Sequence, residues 1–406
     1  MTPHCHVLLD STIVTEPLVY DPKSMETGYD PHALFRRLRD EAPLYYNEEQ
    51  DFYALSRFDD VERAHVERDT FISSRGVTLD LLKADVEFPP GTVIFEDPPS
   101  HTIHRALLSR MFTPRKVAGL EPKIRALCAE LLDPLVGTGR FDFATDLGAI
   151  MPTKVVGMLI GIPDEDAEAI RDHFDSFRNE RRDNEDRHDV FDGEIFAQYI
   201  DWRAAHPGDD VITQLLNAEF EDEQGERRHL TREELLAYVN IVAAAGNDTT
   251  RRLISWTGKV LAEHPDQRRL LVEDTTLIPN AIEEVLRFEP PPLQSCRYVA
   301  KDTEWYGQTV PAGSHMALLV ASANRDERHF DDPDRFDVRR TPGQIFTFGF
   351  GAHYCIGQAL ARLQGRLALD EVLKRFPEWD VDYDNAKFVF DGDLRGWDSL
   401  PVTTSN

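Results

Sequence analysis

Cysteine is scarce in this 406-residue chain: Cys5, Cys128, Cys296 and Cys355 lie far apart, with no Cys-x-x-Cys pair. That spacing offers no disulfide framework and no zinc or iron–sulfur ligand set, and it fits a reducing compartment. Positive charge is short as well. Lys and Arg number 45 against 73 Asp and Glu, a formal charge of −28, which argues against nucleic acid and anionic membrane surfaces as partners. No run approaches the roughly 20 apolar residues that span a bilayer, so no membrane is expected. Met1–Pro22 has no basic flank followed by an apolar stretch, which predicts no signal peptide and a cytoplasmic protein. No Gly/Ser-rich or Pro-rich linker, repeat or low-complexity tract divides the sequence. Residues 1–406 therefore read as one domain, with about 1–20 as a loosely ordered extension.

What is present is an ordinary globular composition, 41% hydrophobic and 10% aromatic. Leu44–Tyr46 and Phe52–Leu55 flank a polar Asn47–Asp51 loop and read as a hairpin. From about 100 to 290, apolar residues recur three and four apart, the mark of helices. Asp183–Asp189 is polar throughout and reads as an exposed loop between two of them. Short strand-like runs follow at Arg297–Val299, His315–Val320 and Lys387–Phe390. The expected class is mainly α with small peripheral β-sheets.

The best-defined helix starts at Thr231, with Glu234 completing a capping box, and runs to Glu263, where His264-Pro265 stops it. At 1.5 Å per residue it is about 45–50 Å long, enough to cross a domain. Its centre, Gly246-Asn247-Asp248-Thr249-Thr250, is made of poor helix formers. Their side chains compete for backbone hydrogen bonds and predict a locally opened turn. An acid beside an alcohol there suits proton delivery to something bound against the helix.

The strongest signal is Phe348-Gly349-Phe350-Gly351-Ala352-His353-Tyr354-Cys355-Ile356-Gly357. Its glycines permit tight turns and close approach of backbone to a flat ligand. The helix opening at Gly357–Leu360 places Cys355 at a helix N-terminus, where free N–H groups favour a thiolate. This segment resembles the haem-binding loop of the cytochrome P-450 family, and the continuation Ala359-Leu360-Ala361-Arg362 is similar too.

The resemblance implies the family's triangular helical prism around a buried haem b, with Cys355 as axial ligand to the iron. It also implies haem contacts from Phe348, Gly349, Gly357 and Ala245. Ala245–Thr250 resembles the family's oxygen-activation motif, in which Thr249 hydrogen-bonds the oxygen under activation and Asp248 relays protons. Glu284-Val285-Leu286-Arg287 is similar to the family's Glu-x-x-Arg pair. Phe330–Phe336 resembles the segment that supplies a third partner, which makes Glu284, Arg287 and Arg335 the expected structural triad. His101, Arg105, Arg297 and His353 match the family's propionate contacts; His104 matches none.

By the same resemblance Ile94, Ile241, Leu293 and Trp397 line the substrate pocket, with Ala245 at its floor. They suggest a small apolar substrate of terpenoid, steroid or fatty-acid type. The implied activity is a monooxygenase that uses O2 and takes NAD(P)H electrons through a separate ferredoxin and ferredoxin reductase. Arg110, Arg115, Lys116, Lys123 and Arg125, with Arg362 and Arg366, form the candidate docking face for that ferredoxin. The expected state is a monomer. A peroxide-driven peroxygenase and a non-catalytic haem sensor are the alternatives, and the Asp248-Thr249 pair argues against both.

Overall fold

A computed structural model describes residues 17–22, 30–183, 194–391 and 393–405. The expected polar loop at Asp183–Asp189 falls, from residue 184 onward, outside the described residues, as do residues 1–16 of the expected extension. The end of that extension is not loose. Tyr20 is fully buried and donates its hydroxyl hydrogen to Gln294 Oε1 at 2.7 Å.

Helices dominate, and one organises the rest. The helix Arg232–Glu263 carries the predicted capping box: Thr231 Oγ1 accepts from the Glu234 N–H, and the Glu234 carboxylate accepts from the Thr231 N–H. Its residues are buried on nearly every face from Glu234 to Ala243 and again from Thr250 to Leu261. A helix apolar all round is a core helix. It packs on Met151–Ile160, Ile278–Phe288, Gln358–Arg375 and the strand Leu394–Ser399. The run Phe143–Ile160 is long and apolar enough to cross a membrane by composition alone, yet 67% of it is buried against this core. Two of its glycines permit close approach: a Cβ on Gly258 would lie 2.6 Å from the Phe143 ring, and one on Gly246 would lie 2.8 Å from Val156.

The predicted hairpin forms, Leu44–Asn47 pairing antiparallel with Phe52–Leu55. It joins a five-stranded sheet through a parallel pairing of Phe52–Leu55 with His315–Leu318, which in turn pairs with Ser295–Val299 and then Phe71–Ile72. The sheet rests on a second, smaller core of Tyr20, Phe35, Leu38, Phe52, Leu79 and their neighbours. The run at Lys387–Asp391 pairs with Leu394–Ser399.

Candidate active site

Away from its two ends, the central helix has one under-buried stretch. Between buried Ala243 and buried Thr250, Ala245 is exposed and residues 246–249 are half-buried. Ile241, Ala245 and Asp248–Thr249 recur at helical spacing and share this face. The helix does not open there, contrary to the expectation from its poor formers: α-helical geometry runs unbroken from Arg232 to Glu263. The Thr249 hydroxyl is accommodated by donating to the Ala245 carbonyl at 2.8 Å, the back-bonding available to threonine within a helix.

Asp248 has a cation beside it. Arg252, one turn on and fully buried, donates to Asp248 Oδ2 at 3.3 and 3.4 Å and to Asp398 Oδ1 at 3.5 Å. Its space comes from Gly396, where a Cβ would fall 2.6 Å from the Arg252 Cδ.

The second under-buried stretch is the cysteine loop, residues 348–359. Gly349 and Gly351 take φ of +67° and +70°, a region costly for other residues. The turn they make brings the Cys355 N–H to the Phe348 carbonyl at 2.8 Å. Cys355 is surrounded by protein yet keeps accessible surface, so it faces a cleft. Burial pushes its thiol up, opposed by the Gly357 N–H and by Arg105 and Arg362. Arg362 lies over the Phe348 ring at 4.4 Å and pairs with Glu283.

The four expected propionate residues come together. The His101 and His353 rings lie 4.1 Å apart, and Arg105 Nη2 donates to the Tyr354 carbonyl. Arg297 is nine-tenths buried on the strand Ser295–Val299, and its Nη1 donates to Ser295 Oγ and the Cys296 carbonyl at 2.8 and 2.7 Å. Burial, reinforced by Arg297, His101 and Arg105, drives the His353 imidazole down to about 2.

A haem, which the resemblance implies, fits these residues. His101 Nε2 is buried without a hydrogen-bond partner, as a side chain awaiting a ligand would be. A Cβ on Gly357 would meet no protein atom within 4 Å, so that backbone edge is open to a flat group. A thiol at a helix N-terminus supplies the sulfur ligand.

The structural triad needs one correction. Arg287 grips Glu284 in a bidentate pair at 2.7 and 2.8 Å, both side chains fully buried. The third partner is not Arg335, whose side chain is 62% exposed and pairs with Asp337. Arg340 takes that place, with Nε 3.1 Å from Glu284 Oε1 and Nη atoms on the carbonyls of Asp331, Asp332 and Arg335. Arg335 contributes only its backbone oxygen, because the turn that follows Phe330–Asp334 points its side chain outward. Arg287 Nη1 continues to the Asn324 carbonyl at 3.0 Å, and the Asn324 amide binds the Phe346 N–H and Thr347 Oγ1. The cluster thus braces the residues just before the cysteine loop.

Leu293 is also corrected. It is buried in the second core beside Leu79, Leu82 and Cys296 and presents no open surface. Trp397 packs edge-on against Trp256 and Phe388. Ile94 is half-buried in the turn Val93–Phe95. On the expected docking face Arg125 is consumed by Glu121, Asp370 and Glu371, and Lys116 binds Gln214. Arg110, Arg115 and Lys123 are exposed and, among the described residues, have no carboxylate within pairing distance. Sequence reading missed Arg340, Arg252 and His65, none of which sits inside a recognised motif.

The sequence model of the family described as Cytochrome P450 matches residues 162–387. A curated relative, putative cytochrome P450 123 of Mycobacterium tuberculosis, is 36% identical over 400 residues, covering 95% of this chain and 97% of its own length. Among solved structures, the post-tailoring hydroxylase HmtN of himastatin biosynthesis superposes with a TM-score of 0.82 at 30% identity, over 95% of this chain and 100% of its own. CYP109E1 of Bacillus megaterium in complex with testosterone gives 0.81 at 29%, over 93% and 100%. Likeness in sequence and backbone extends over nearly the whole length and includes the cysteine loop, and this chain belongs to the cytochrome P450 family.

Proposed function

We propose that this cytochrome P450 monooxygenase binds haem b through Cys355 and inserts one oxygen atom of O2 into a C–H bond of a small apolar substrate, of steroid, terpenoid or fatty-acid type. The observation that carries the reading is Cys355 itself: a thiol deep in the fold yet open to a cleft, at a helix N-terminus, with cations and unpartnered imidazole nitrogen close by. When bound, the haem supplies oxygen activation, which a thiolate ligand promotes by donating electron density. The chain supplies positioning, proton control and a dry pocket.

Arg105, Arg297, His101 and His353 would hold the propionates, and Phe348, Gly349, Gly357 and Ala245 would flank the macrocycle. Thr249 holds its hydroxyl hydrogen on the Ala245 carbonyl, so the hydroxyl must turn about its Cβ–Oγ bond before it can donate towards the cleft. Asp248 is held through Oδ2 by Arg252, which fixes the carboxylate next to Thr249 on the helix. Asp398 shares Arg252, so the buried cation has two carboxylate partners. Ile241 and Ile94 present apolar surface to substrate, and the steroid complexed with CYP109E1 is of the class we favour.

Electrons come from NAD(P)H by way of a ferredoxin reductase and a ferredoxin docking near Arg110, Arg115 and Lys123. The whole chain acts as one cytoplasmic, monomeric haem domain. The test is the absorption spectrum of purified protein, reduced and exposed to carbon monoxide. A strongly red-shifted Soret band that vanishes in Cys355→Ala supports thiolate ligation; an unshifted band in the unsubstituted protein refutes it. A panel of steroids, terpenoids and fatty acids, scored by displacement of the iron-bound water, then tests the substrate class.

A further inference from the structure

His65 ends the helix Phe58–Val66 and is buried, with no role in any motif. Its Nδ1 lies 2.8 Å from the Val61 carbonyl. A carbonyl only accepts, so Nδ1 carries the hydrogen. Burial, with Arg297 adding repulsion, holds the imidazole down to about 3, so the ring is neutral and Nε2 is a bare lone pair. That atom is buried and has no partner. Buried acceptors are nearly always paired, so a missing donor is indicated.

The surroundings say where the donor belongs. The His65 ring stacks on Phe346, centroids 5.6 Å apart and planes 9° from parallel. A Cβ on Gly349 would stand 4.0 Å from Nε2, and one on Gly351 would strike the His65 carbonyl at 2.9 Å. The imidazole therefore abuts the first turn of the cysteine loop. Arg297 and His353, both assigned to the propionate edge, are near enough to act on each other and on His65 electrostatically. A carboxylate cannot approach a bare lone pair. Something with two hydrogens can stand between them.

We propose that His65 is an additional positioning residue for the haem, its Nε2 accepting from an ordered water that also donates to the propionate held by Arg297. This rests on the haem reading above. It gives a reason for an unpaired nitrogen next to the ligand loop, and it makes Phe58–Val66 part of the wall that fixes the haem edge.

The test compares His65→Phe, which keeps the stacked ring and its volume but removes the acceptor, with His65→Gln, which retains an acceptor. Two readouts are taken on the haem-loaded protein: the rate of haem transfer to excess apomyoglobin and the midpoint potential by spectroelectrochemistry. His65→Phe is expected to release haem about tenfold faster and to shift the potential, with His65→Gln closer to the natural protein. A tenfold change in the relative stabilisation of the two oxidation states reads as about 59 mV. Release and potential both unchanged in His65→Phe would make His65 a core residue only and overturn the proposal. Should neither variant fold, nitrogen NMR of the unsubstituted protein decides. Loading with diamagnetic zinc protoporphyrin should move the His65 Nε2 resonance in the direction of hydrogen-bond acceptance, and an unmoved resonance overturns the assignment. If the unsubstituted protein retains no haem, the haem reading itself fails, an outcome distinct from these.

Discussion

Exchanging which arginine completes the Glu284 cluster has measurable consequences. Glu284 and Arg287 are fully buried, while Arg340 is 17% exposed and reaches in from the edge. Removing one partner of a buried ion pair generally costs 3–5 kcal/mol, because the remaining charge is stranded. Arg340→Ala should cost less, since Arg287 still holds both Glu284 oxygens. Three backbone carbonyls also lose their donor, but they lie at an exposed edge where water replaces it. The expected loss is about 2–3 kcal/mol. Unfolding entropy near 2.1 cal/mol/K per residue gives about 0.85 kcal/mol per degree for a chain of 406 residues, so Tm should fall by roughly 3 °C. Arg335→Ala removes an exposed pair with Asp337 and should stay within about 0.5 kcal/mol. Denaturant midpoints and calorimetry on both variants, with haem content recorded alongside, provide the assay. Equal losses from the two substitutions, or a larger one from Arg335→Ala, would refute the assignment.

Thr249→Ala should leave haem content unchanged and divert reducing equivalents to peroxide; coupling of NAD(P)H use to product unaltered from the natural enzyme would count against its role. Arg252→Gln removes the charge that holds Asp248 in place and should lower the coupling of NAD(P)H use to product, with Asp248→Asn lowering it further. Unchanged coupling in Arg252→Gln would show that the ion pair does not position the acid. Burial and Arg325 hold His32 down to about 4 from 6.5, with Glu289 pulling the other way. The folded ring stays neutral while the unfolded one takes a proton, so stability falls as pH drops from about 6.5 towards about 4. Between about pH 6.5 and 5 the loss from this group is on the order of 2 kcal/mol. His32→Gln should flatten that limb in denaturant titrations, and an equally steep limb in the variant would refute the assignment.

Motifs and element boundaries were legible in the sequence because their causes are local. The capping box at Thr231–Glu234 and the stop at His264-Pro265 fix the central helix within a few residues of chain. The glycines at 349 and 351 fix the cysteine turn in the same way. The resemblance around Cys355, together with Ala245–Thr250 and Glu284–Arg287, pointed to the family. Partnerships across long stretches of chain were not legible. Arg335 and Arg340 both follow Glu284 at plausible distances, and only the path of the turn between them decides which side chain reaches the buried carboxylate. Leu293 was expected at the pocket, but the packing of the sheet against Leu79 and Leu82 turns it into the second core. Arg252 finds Asp398 because Gly396 on a distant strand leaves room for it, and His65 meets Gly349 because the helix Phe58–Val66 packs against the cysteine loop. Backbone propensity and capping act over one or two turns and are written in sequence order. Burial and side-chain pairing depend on which surfaces close-pack, and the tertiary structure decides that.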